Sequence, residues 1–304
     1  MTPISHSPIY YSIANHLFRI EGEGTSHLYE NLPNALPFAI QHIEQQAPLF
    51  SIQISVPLPD WQKTDLSAWN IETLYSFEGD TTDCVFAKYP KGYLFRMESR
   101  IGDPTILMIK EHHSAVFYTN FFPCQHPNCS NFIFLLWIAY GIACVSKKTL
   151  ALHASTIYYK NKAVLFLGES GTGKSTHTAL WQKHIPGVSL LNDDSPIIRI
   201  IDKQACAFGS MWSGKIPCHK NECYPIAALV RLNQAPCNNI QRLKILPALS
   251  AVLPSCPTLF AYDEVLSDYI CQTVSDIIEK TPVFNLNCLP DKESALLSFN
   301  SIFK

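Results

Sequence analysis

The sequence lacks an excess of basic charge. Its 304 residues include 23 Lys and Arg against 25 Asp and Glu, a formal net charge of −2. Nucleic acids and anionic membrane surfaces are bound by clustered basic side chains, so this balance argues against both as partners. With 16% charged and 47% hydrophobic residues, the composition is that of a globular chain with a sizeable core rather than of a disordered one.

The sequence also lacks a signal for export and a hydrophobic run long enough for a membrane span. Its N-terminus has neither the basic start nor the apolar stretch of a signal peptide, which predicts a cytoplasmic protein. The most apolar run, FIFLLWIAYGIACV, has about 14 residues, whereas a membrane span needs about 20. We therefore expect no transmembrane segment, and we interpret residues 131–145 as a buried core helix.

The 11 cysteines are an odd number in a chain too large to depend on disulfides, which indicates free thiols in a reducing compartment. Zinc prefers thiolate and imidazole ligands, and two Cys-x4-Cys segments with an internal His contain them: Cys124, His126 and Cys129, and Cys218, His219 and Cys223. Neither segment has a familiar zinc-finger spacing, so ordinary thiols are the favoured interpretation.

The first half of the chain is predicted to be rich in β-strands. Alternating or short apolar segments predict strands at residues 51–57, 92–98, 105–110 and 115–119. We expect them to form a mostly antiparallel module that ends in the core helix. This smaller N-terminal region, residues 1–146, is expected to recognise a substrate or partner.

The second half has a different order of predicted strands and helices, which is typical of an α/β nucleotide-binding core. Strands are predicted at 150–157 and 162–167, followed by a glycine loop, a helix at 174–184 and a strand at 188–192. Further strands are expected at 226–232 and 240–243, and helices at 246–253 and 267–279. The sequence therefore predicts an α/β catalytic domain over residues 147–304.

The glycine loop matches the phosphate-loop pattern G-x4-G-K-[ST] at every fixed position: Gly168, Glu169, Ser170, Gly171, Thr172, Gly173, Lys174 and Ser175. Glycines let the backbone curl so that its N–H groups point at phosphate oxygens, with the positive end of the following helix behind them. We expect Lys174 to contact the β and γ phosphates and Ser175 to bind Mg²⁺. Thr176 completes the predicted nucleotide-binding set. An ordinary glycine turn before a core helix is the alternative.

Two adjacent carboxylates, Asp193 and Asp194, end the next apolar strand. Mg²⁺ takes hard oxygen ligands and keeps several waters, so one carboxylate, Ser175 and the phosphates suffice to hold it. The second carboxylate is then free to accept the proton of an attacking hydroxyl. A solvated turn before Ser195 and Pro196 is the alternative.

Two weaker features lie nearby. His153 is predicted at the end of a strand next to the loop's strand, either as an active-site group near the γ-phosphate or as a core histidine with a hydrogen-bond partner. Residues 208–215 combine glycines, an aromatic ring and a cation, which is typical of a substrate loop but equally of a hairpin turn. The candidate substrate-loop residues are Trp212, Ser213, Gly214 and Lys215.

In order and spacing, Leu152-His-Ala-Ser, Gly168-Glu-Ser-Gly-Thr-Gly-Lys-Ser-Thr and Asn192-Asp-Asp resemble the catalytic domain of HPr kinase/phosphorylase. The loop and the Asp pair are also similar to those of phosphoenolpyruvate carboxykinase, which shares the P-loop core. The resemblance covers about residues 150–255. HPr kinases carry an arginine in a glycine-rich signature where this chain has Trp212-Ser-Gly-Lys215, so HPr itself is not the implied substrate.

The resemblance implies a role for each matched residue. ATP and Mg²⁺ are the implied cofactors, held by Lys174 and Ser175. Asp193 is the implied general base, Asp194 the metal ligand, and His153 a neighbour of the reaction centre. Related kinases tend to be oligomers, so a homo-oligomer is implied by analogy alone.

We therefore predict an ATP- and Mg²⁺-dependent kinase that transfers the γ-phosphate to a serine-type hydroxyl of a peptide, a protein or a small molecule. HPr-kinase-like proteins with β-rich N-terminal regions accompany peptide-modification systems, so the resemblance implies a peptide or a small-molecule hydroxyl as a reasonable acceptor. One alternative is a non-catalytic nucleotide switch whose N-terminal half binds a peptide or partner. Another is a carboxykinase-like enzyme, which the few arginines after the loop disfavour: Arg199, Arg231 and Arg242.

Overall fold

The computed structural model describes residues 7–41, 46–58, 69–79, 81–125, 129–214 and 216–304. It is a mixed α/β protein with two large mixed sheets. The chain divides into two compact units between Ala143 and Cys144. This division falls close to the domain boundary that the sequence predicts after residue 146.

Unit 1 is built on a mostly antiparallel sheet. Its described strands are β1 (Ile9–Ile13), β2 (His16–Gly22), β3 (Ala39–Ile40), β4 (Phe50–Ile54), β5 (Glu72–Glu78), β6 (Thr82–Tyr89), β7 (Gly92–Ser99), β8 (Ile106–Glu111) and β9 (Val116–Thr119). They lie in the order β3-β1-β2-β4-β9-β8-β7-β6-β5. The pairs β2–β4 and β4–β9 are parallel, and the other neighbours are antiparallel. The helices are α1 (Thr25–Glu30), a 3-10 helix (Pro33–Phe38) and α2 (Ser130–Cys144).

Helix α2 is the predicted core helix. It is apolar on all sides, and most of its side chains are buried or half-buried. Its Tyr140 hydroxyl donates a hydrogen bond to the Ile13 carbonyl (3.0 Å), and the Tyr140 ring contacts Phe18 and Phe50 edge-on. Residues Ser130–Lys147 are also long and apolar enough to cross a membrane, but a core helix passes the same test. These contacts are consistent with a soluble protein.

Unit 2 is built on the second sheet. Its strands are β10 (Thr149–Ala151), β11 (Ala154–Tyr159), β12 (Lys162–Leu167), β13 (Ser189–Asp194), β14 (Ile197–Ile201), β15 (Gln204–Phe208), β16 (Cys223–Gln234), β17 (Asn239–Arg242) and β18 (Val283–Cys288). Its α-helices are α3 (Lys174–His184), α4 (Ile245–Val252), α5 (Glu264–Lys280) and α6 (Lys292–Phe303). Short 3-10 helices span Val145–Lys147, Leu253–Ser255 and Thr258–Tyr262.

The strand directions in unit 2 bring several strand ends to one edge of the sheet. The main order is β10-β14-β15-β16-β12-β11-β13, and β18 pairs with both β16 and β17. Strand β12 pairs in parallel with β16, and β16 pairs in parallel with β18. Strand β11 is antiparallel to both β12 and β13. The carboxyl ends of β12, β13, β16 and β18 therefore point the same way, and in open α/β sheets ligands bind at such an edge.

The predicted strand over residues 150–157 is wrong, because the chain leaves the sheet at Leu152 and His153. The Leu152 N–H donates to the Pro196 carbonyl (3.1 Å), and the His153 N–H donates to the Ser255 carbonyl (2.7 Å). Both amides are satisfied by distant segments rather than by a neighbouring strand. The result is two strands, β10 and β11, with His153 in the turn immediately before β11.

Helices α3 and α6 pack together on a buried tryptophan. The indole N–H of Trp181 lies 3.2 Å from His177 Nε2 and 2.9 Å from Ser298 Oγ. His177 Nε2 also lies 3.1 Å from Ser298 Oγ, so the three side chains form one buried polar cluster. Burial lowers the pKa of His177 to about 4, against a small opposing effect of the Asp291 charge. His177 is therefore a neutral side chain of the folded core.

We expect unit 2 to lose stability as the pH falls from about 6.5 to about 4. Over this range the unfolded state binds a proton at His177 that the folded state does not, so the stability that is present above pH 6.5 is progressively lost, by up to about 3 kcal/mol. Free energies of unfolding from urea titrations at several pH values measure the effect. The variant His177→Gln keeps an acceptor for Trp181 but does not titrate, so its stability should fall less with acid.

His184 provides the matched control, because it lies at the end of the same helix and is only partly buried. The variant His184→Gln should follow the wild-type pH dependence. Equal acid sensitivity of the wild-type protein and His177→Gln would contradict the assignment of this effect to His177.

Candidate functional site

The glycine loop joins β12 to α3, and its backbone has the conformation of a loop that binds an anion at a helix N-terminus. Gly171 and Gly173 have φ values of 80° and 102°, in the left-handed region that glycine adopts without steric cost. Gly173 is also the N-cap of α3. The first N–H groups of a helix have no partner within the helix, so those of α3 can face a bound phosphate.

Lys174 lies folded over this loop. Its ammonium donates to the carbonyls of Gly168 (2.8 Å) and Glu169 (3.0 Å), and the Thr172 hydroxyl donates to the same Glu169 carbonyl (2.6 Å). Burial lowers the pKa of Lys174, while the charges of Asp194 and Asp193 act in the opposite direction. A buried ammonium that contacts neutral carbonyls is suited to bind the oxygens of a phosphate.

Asp193 pairs with the phosphate-loop serine. The Ser175 hydroxyl lies 2.9 Å from Oδ1 and 3.1 Å from Oδ2 of Asp193, to which it donates a hydrogen bond. The Asp193 residue is only 3% exposed, at the end of β13. In phosphate-loop enzymes, Mg²⁺ is held by the loop Ser or Thr and an Asp at the end of a nearby strand. Ser175 and Asp193 have the residue types and the proximity of that pair.

Asp194 faces His153. The His153 Nε2 lies 3.6 Å from Asp194 Oδ1, and the two side chains are 41% and 51% exposed. Burial raises the pKa of Asp194, although the charges of His153 and Lys174 oppose the change. Burial, followed by the charge of Lys174, lowers the pKa of His153. The pair is therefore an accessible carboxylate and imidazole, both shifted toward their neutral forms.

The predicted substrate loop is part of a long connection, not of a tight turn. Strands β15 and β16 pair with Phe208 opposite Cys223, so the fourteen residues between them form the connection. Ser213 forms an antiparallel bridge with Asp194, and the Gly214 N–H donates a short hydrogen bond to the Asp193 carbonyl. Trp212 is only 6% exposed, so it anchors the loop rather than offering a ring to a ligand. Lys215 lies outside the described residues.

A buried polar network that the sequence analysis missed holds this loop in place. The side-chain amide of Asn192 donates to Ser210 Oγ (3.1 Å) and the Trp212 carbonyl (3.0 Å), and its oxygen accepts from the Ser195 N–H (2.9 Å). Ser210 Oγ donates to the Ser195 carbonyl (2.6 Å). Such a satisfied network fixes one arrangement of the chain. The position of Asn192 directly before the Asp pair was the available signal.

Arg231 is a second residue that the sequence analysis did not assign to the site. It pairs in register with Leu167, the last residue of β12, so it lies directly beside the start of the loop. One guanidinium nitrogen lies 3.5 Å from Glu169 Oε1, and the Arg231 and Glu169 side chains are 16% and 83% exposed. Its other terminal nitrogen, Nη1, is buried without a hydrogen-bond partner. A buried, unpartnered donor next to a phosphate loop is a group that an anionic ligand would satisfy.

The cysteines and histidine considered as candidate zinc ligands do not form a metal-binding cluster in the described residues. Cys218 is buried, with its thiol 3.3 Å from the Leu191 carbonyl. Within the described ranges, no group of three or more His, Cys, Asp or Glu side chains is arranged to hold a metal ion. His126 lies outside these ranges. Mg²⁺ needs no such group, because it is bound by one or two carboxylates together with phosphates and water.

Unit 2 thus brings the loop, Lys174, Ser175, both aspartates and His153 together, with Arg231 beside them. Compared with known proteins, the chain matches no protein-family model and no curated protein. A function for the chain therefore depends on the residues and geometry of its own site.

Proposed function

We propose that this chain is an ATP- and Mg²⁺-dependent phosphotransferase with a P-loop core of the HPr kinase type. The observation that carries the proposal is the hydrogen bond between Ser175 and Asp193 next to Lys174. A glycine turn before a core helix needs neither a buried carboxylate on its serine nor a lysine folded over its carbonyls. Binding of a phosphate together with Mg²⁺ uses a carboxylate beside the loop serine and a lysine at the loop.

The geometry favours an exchange of the roles that the resemblance implies for the two aspartates. Asp193 is buried and bonded to Ser175, which suits the metal ligand. Asp194 is half-exposed and lies near His153, which suits a base that an acceptor hydroxyl must reach. We therefore assign Mg²⁺ to Ser175 and Asp193, and proton acceptance to Asp194 with His153.

Each residue then has a defined task in the transfer. Lys174 would neutralise charge on the β and γ phosphates, and Ser175 and Asp193 would hold a Mg²⁺ ion that would supply further neutralisation. Such neutralisation is most of what phosphoryl transfer requires from a protein. Asp194 takes the proton of the acceptor hydroxyl. The oxygen of that hydroxyl forms a bond to the γ-phosphorus in the same step. The bond from that phosphorus to the β–γ bridging oxygen breaks, and ADP leaves. Arg231 is suited to contact a phosphoryl oxygen through Nη1.

The acceptor in this proposal is a serine-type hydroxyl of a peptide, a protein or a small molecule in the cytoplasm. Unit 1 is the proposed element of acceptor recognition, and a homo-oligomer follows from analogy alone.

The test is an assay with γ-labelled ATP and Mg²⁺, with and without extract of the cells that make the protein. We expect label on a peptide, protein or metabolite with the wild-type chain, and none with Lys174→Ala. The matched control is Lys183→Ala, an exposed position on the same helix. Nucleotide binding without transfer or hydrolysis would instead indicate the switch, and oxaloacetate-dependent hydrolysis would indicate the carboxykinase.

A further inference from the structure

A cavity of about 500 Å³ opens directly beside the phosphate loop. The loop and the start of α3 form one wall, and the ends of β16 and β18 with the residues that follow them form the other. Its side-chain lining includes Thr176, Leu180, Leu232, Ala235, Leu289 and Pro290. We call it the β16/β18 pocket. Its volume lies within the range of about 300 to 1,000 Å³ that is usual for small-molecule sites.

The β16/β18 pocket is uncharged and mostly apolar, with the polar side chains of Thr172, Thr176 and Gln234 in its lining. No Asp, Glu, Lys or Arg is among its described lining residues. His177 also contributes to the wall, as the neutral partner of Trp181. Leu289 is one of the large apolar side chains that remain exposed in unit 2, at 40%. A mostly apolar wall without charged side chains suits the faces of a flat, neutral ring.

The position of the pocket follows the direction of a bound nucleotide. Asp193 and Asp194 lie at the end of β13, on one side of β12, and the pocket lies at the ends of β16 and β18, on the other side. The phosphate loop lies between the two. If the γ-phosphate of a bound nucleotide lies at the aspartates, its nucleoside end lies on the side of the pocket. Both positions are at the strand ends where α/β sheets bind ligands.

We infer that the β16/β18 pocket holds the nucleoside of the bound nucleotide. This inference rests on the proposed function and assigns the subsite that the phosphate loop leaves undefined.

The first experiment fills the pocket with a larger side chain and leaves every residue of the phosphate loop unchanged. Ala235 is half-buried at the end of β16 and lines the cavity, so Ala235→Trp inserts a large ring where the base would lie. We expect the Kd for ATP to rise about tenfold or more, and that for inorganic tripolyphosphate with Mg²⁺ to stay the same. The control Cys237→Trp places the same ring at an exposed neighbouring position outside the lining and should leave both affinities unchanged.

The second experiment uses the wild-type protein and does not depend on whether a variant folds. Cys288 lines the pocket, whereas Cys271 is exposed on α5 and does not. Alkylation followed by peptide mass spectrometry should show that ATP slows labelling of Cys288 and that tripolyphosphate does not. Labelling of Cys271 should be the same in all conditions.

The outcomes separate this inference from the proposed function. If the wild-type chain binds neither ATP nor tripolyphosphate, the proposed phosphate site fails. If it binds both equally tightly, and ATP leaves Cys288 unprotected, the phosphate site stands and the nucleoside pocket is wrong.

Discussion

Asp193→Asn is expected to lower the rate of phosphoryl transfer by a factor of about 10² to 10⁴ while the chain stays folded. Asparagine has nearly the same shape as aspartate and keeps an oxygen that can accept from Ser175. It lacks the negative charge that a Mg²⁺ ligand must supply. The variant should therefore need more Mg²⁺ for half-maximal rate, which a titration of activity against Mg²⁺ measures.

The comparison with Asp194→Asn tests the exchange of roles. This variant should also be slow, but its Mg²⁺ requirement should stay close to that of the wild-type protein, and its rate should lose the dependence on pH that a titrating base produces. If Asp194→Asn raises the Mg²⁺ requirement and Asp193→Asn does not, the original assignment of the aspartates is correct. Asp268→Asn, at an exposed position on α5, is the control and should be fully active.

Arg231→Gln is expected to lower the rate by about 10² to 10³, since this is the usual effect of removing one donor to a developing charge. Its effect on folding should be small or favourable. The wild-type guanidinium keeps a buried nitrogen without a partner, and its ion pair with the exposed Glu169 is of the kind that contributes about 0 to 1 kcal/mol. Activity assays and thermal unfolding of the same samples measure both effects.

Three further variants separate a role in catalysis from a structural role of Arg231. Glu169→Gln removes the ion-pair partner and should leave the rate nearly unchanged. Arg231→Lys keeps a positive charge and should recover part of the activity. Arg242→Gln changes an exposed arginine of β17 and should behave as the wild-type protein. A loss of stability in Arg231→Gln that matches its loss of activity would argue for a structural role.

Local patterns made some features of unit 2 predictable. The loop and α3 are contiguous in sequence, and the structure begins and ends α3 at Lys174 and His184, as predicted. Helix α6 was missed because its buried face carries the small polar residues Ser294 and Ser298, which hide the apolar period. Its N-terminal signal, an aspartate cap at Asp291 that accepts from the Ser294 N–H (2.8 Å), was present but isolated.

Contacts between distant segments account for the remaining differences. His153 looks like a strand residue by its neighbours, and only the Ser255 carbonyl, about a hundred residues later, removes its amide from the sheet. Arg231 reaches the loop because β16 pairs with β12 in one particular register. A shift of that register by one residue would turn the side chain to the other face of the sheet. No local pattern in a single sequence specifies such a register.

The backbone of Asp194 has a consequence for how the chain can change over time. Its φ of 136° is a conformation that glycine adopts readily and that costs other residues about 1 to 3 kcal/mol. Selection for stability alone would favour glycine at this position. The proposed mechanism requires a carboxylate beside His153, and under that proposal the requirement opposes the change to glycine. Under the same proposal, a descendant chain with glycine here would have given up the chemistry in favour of stability.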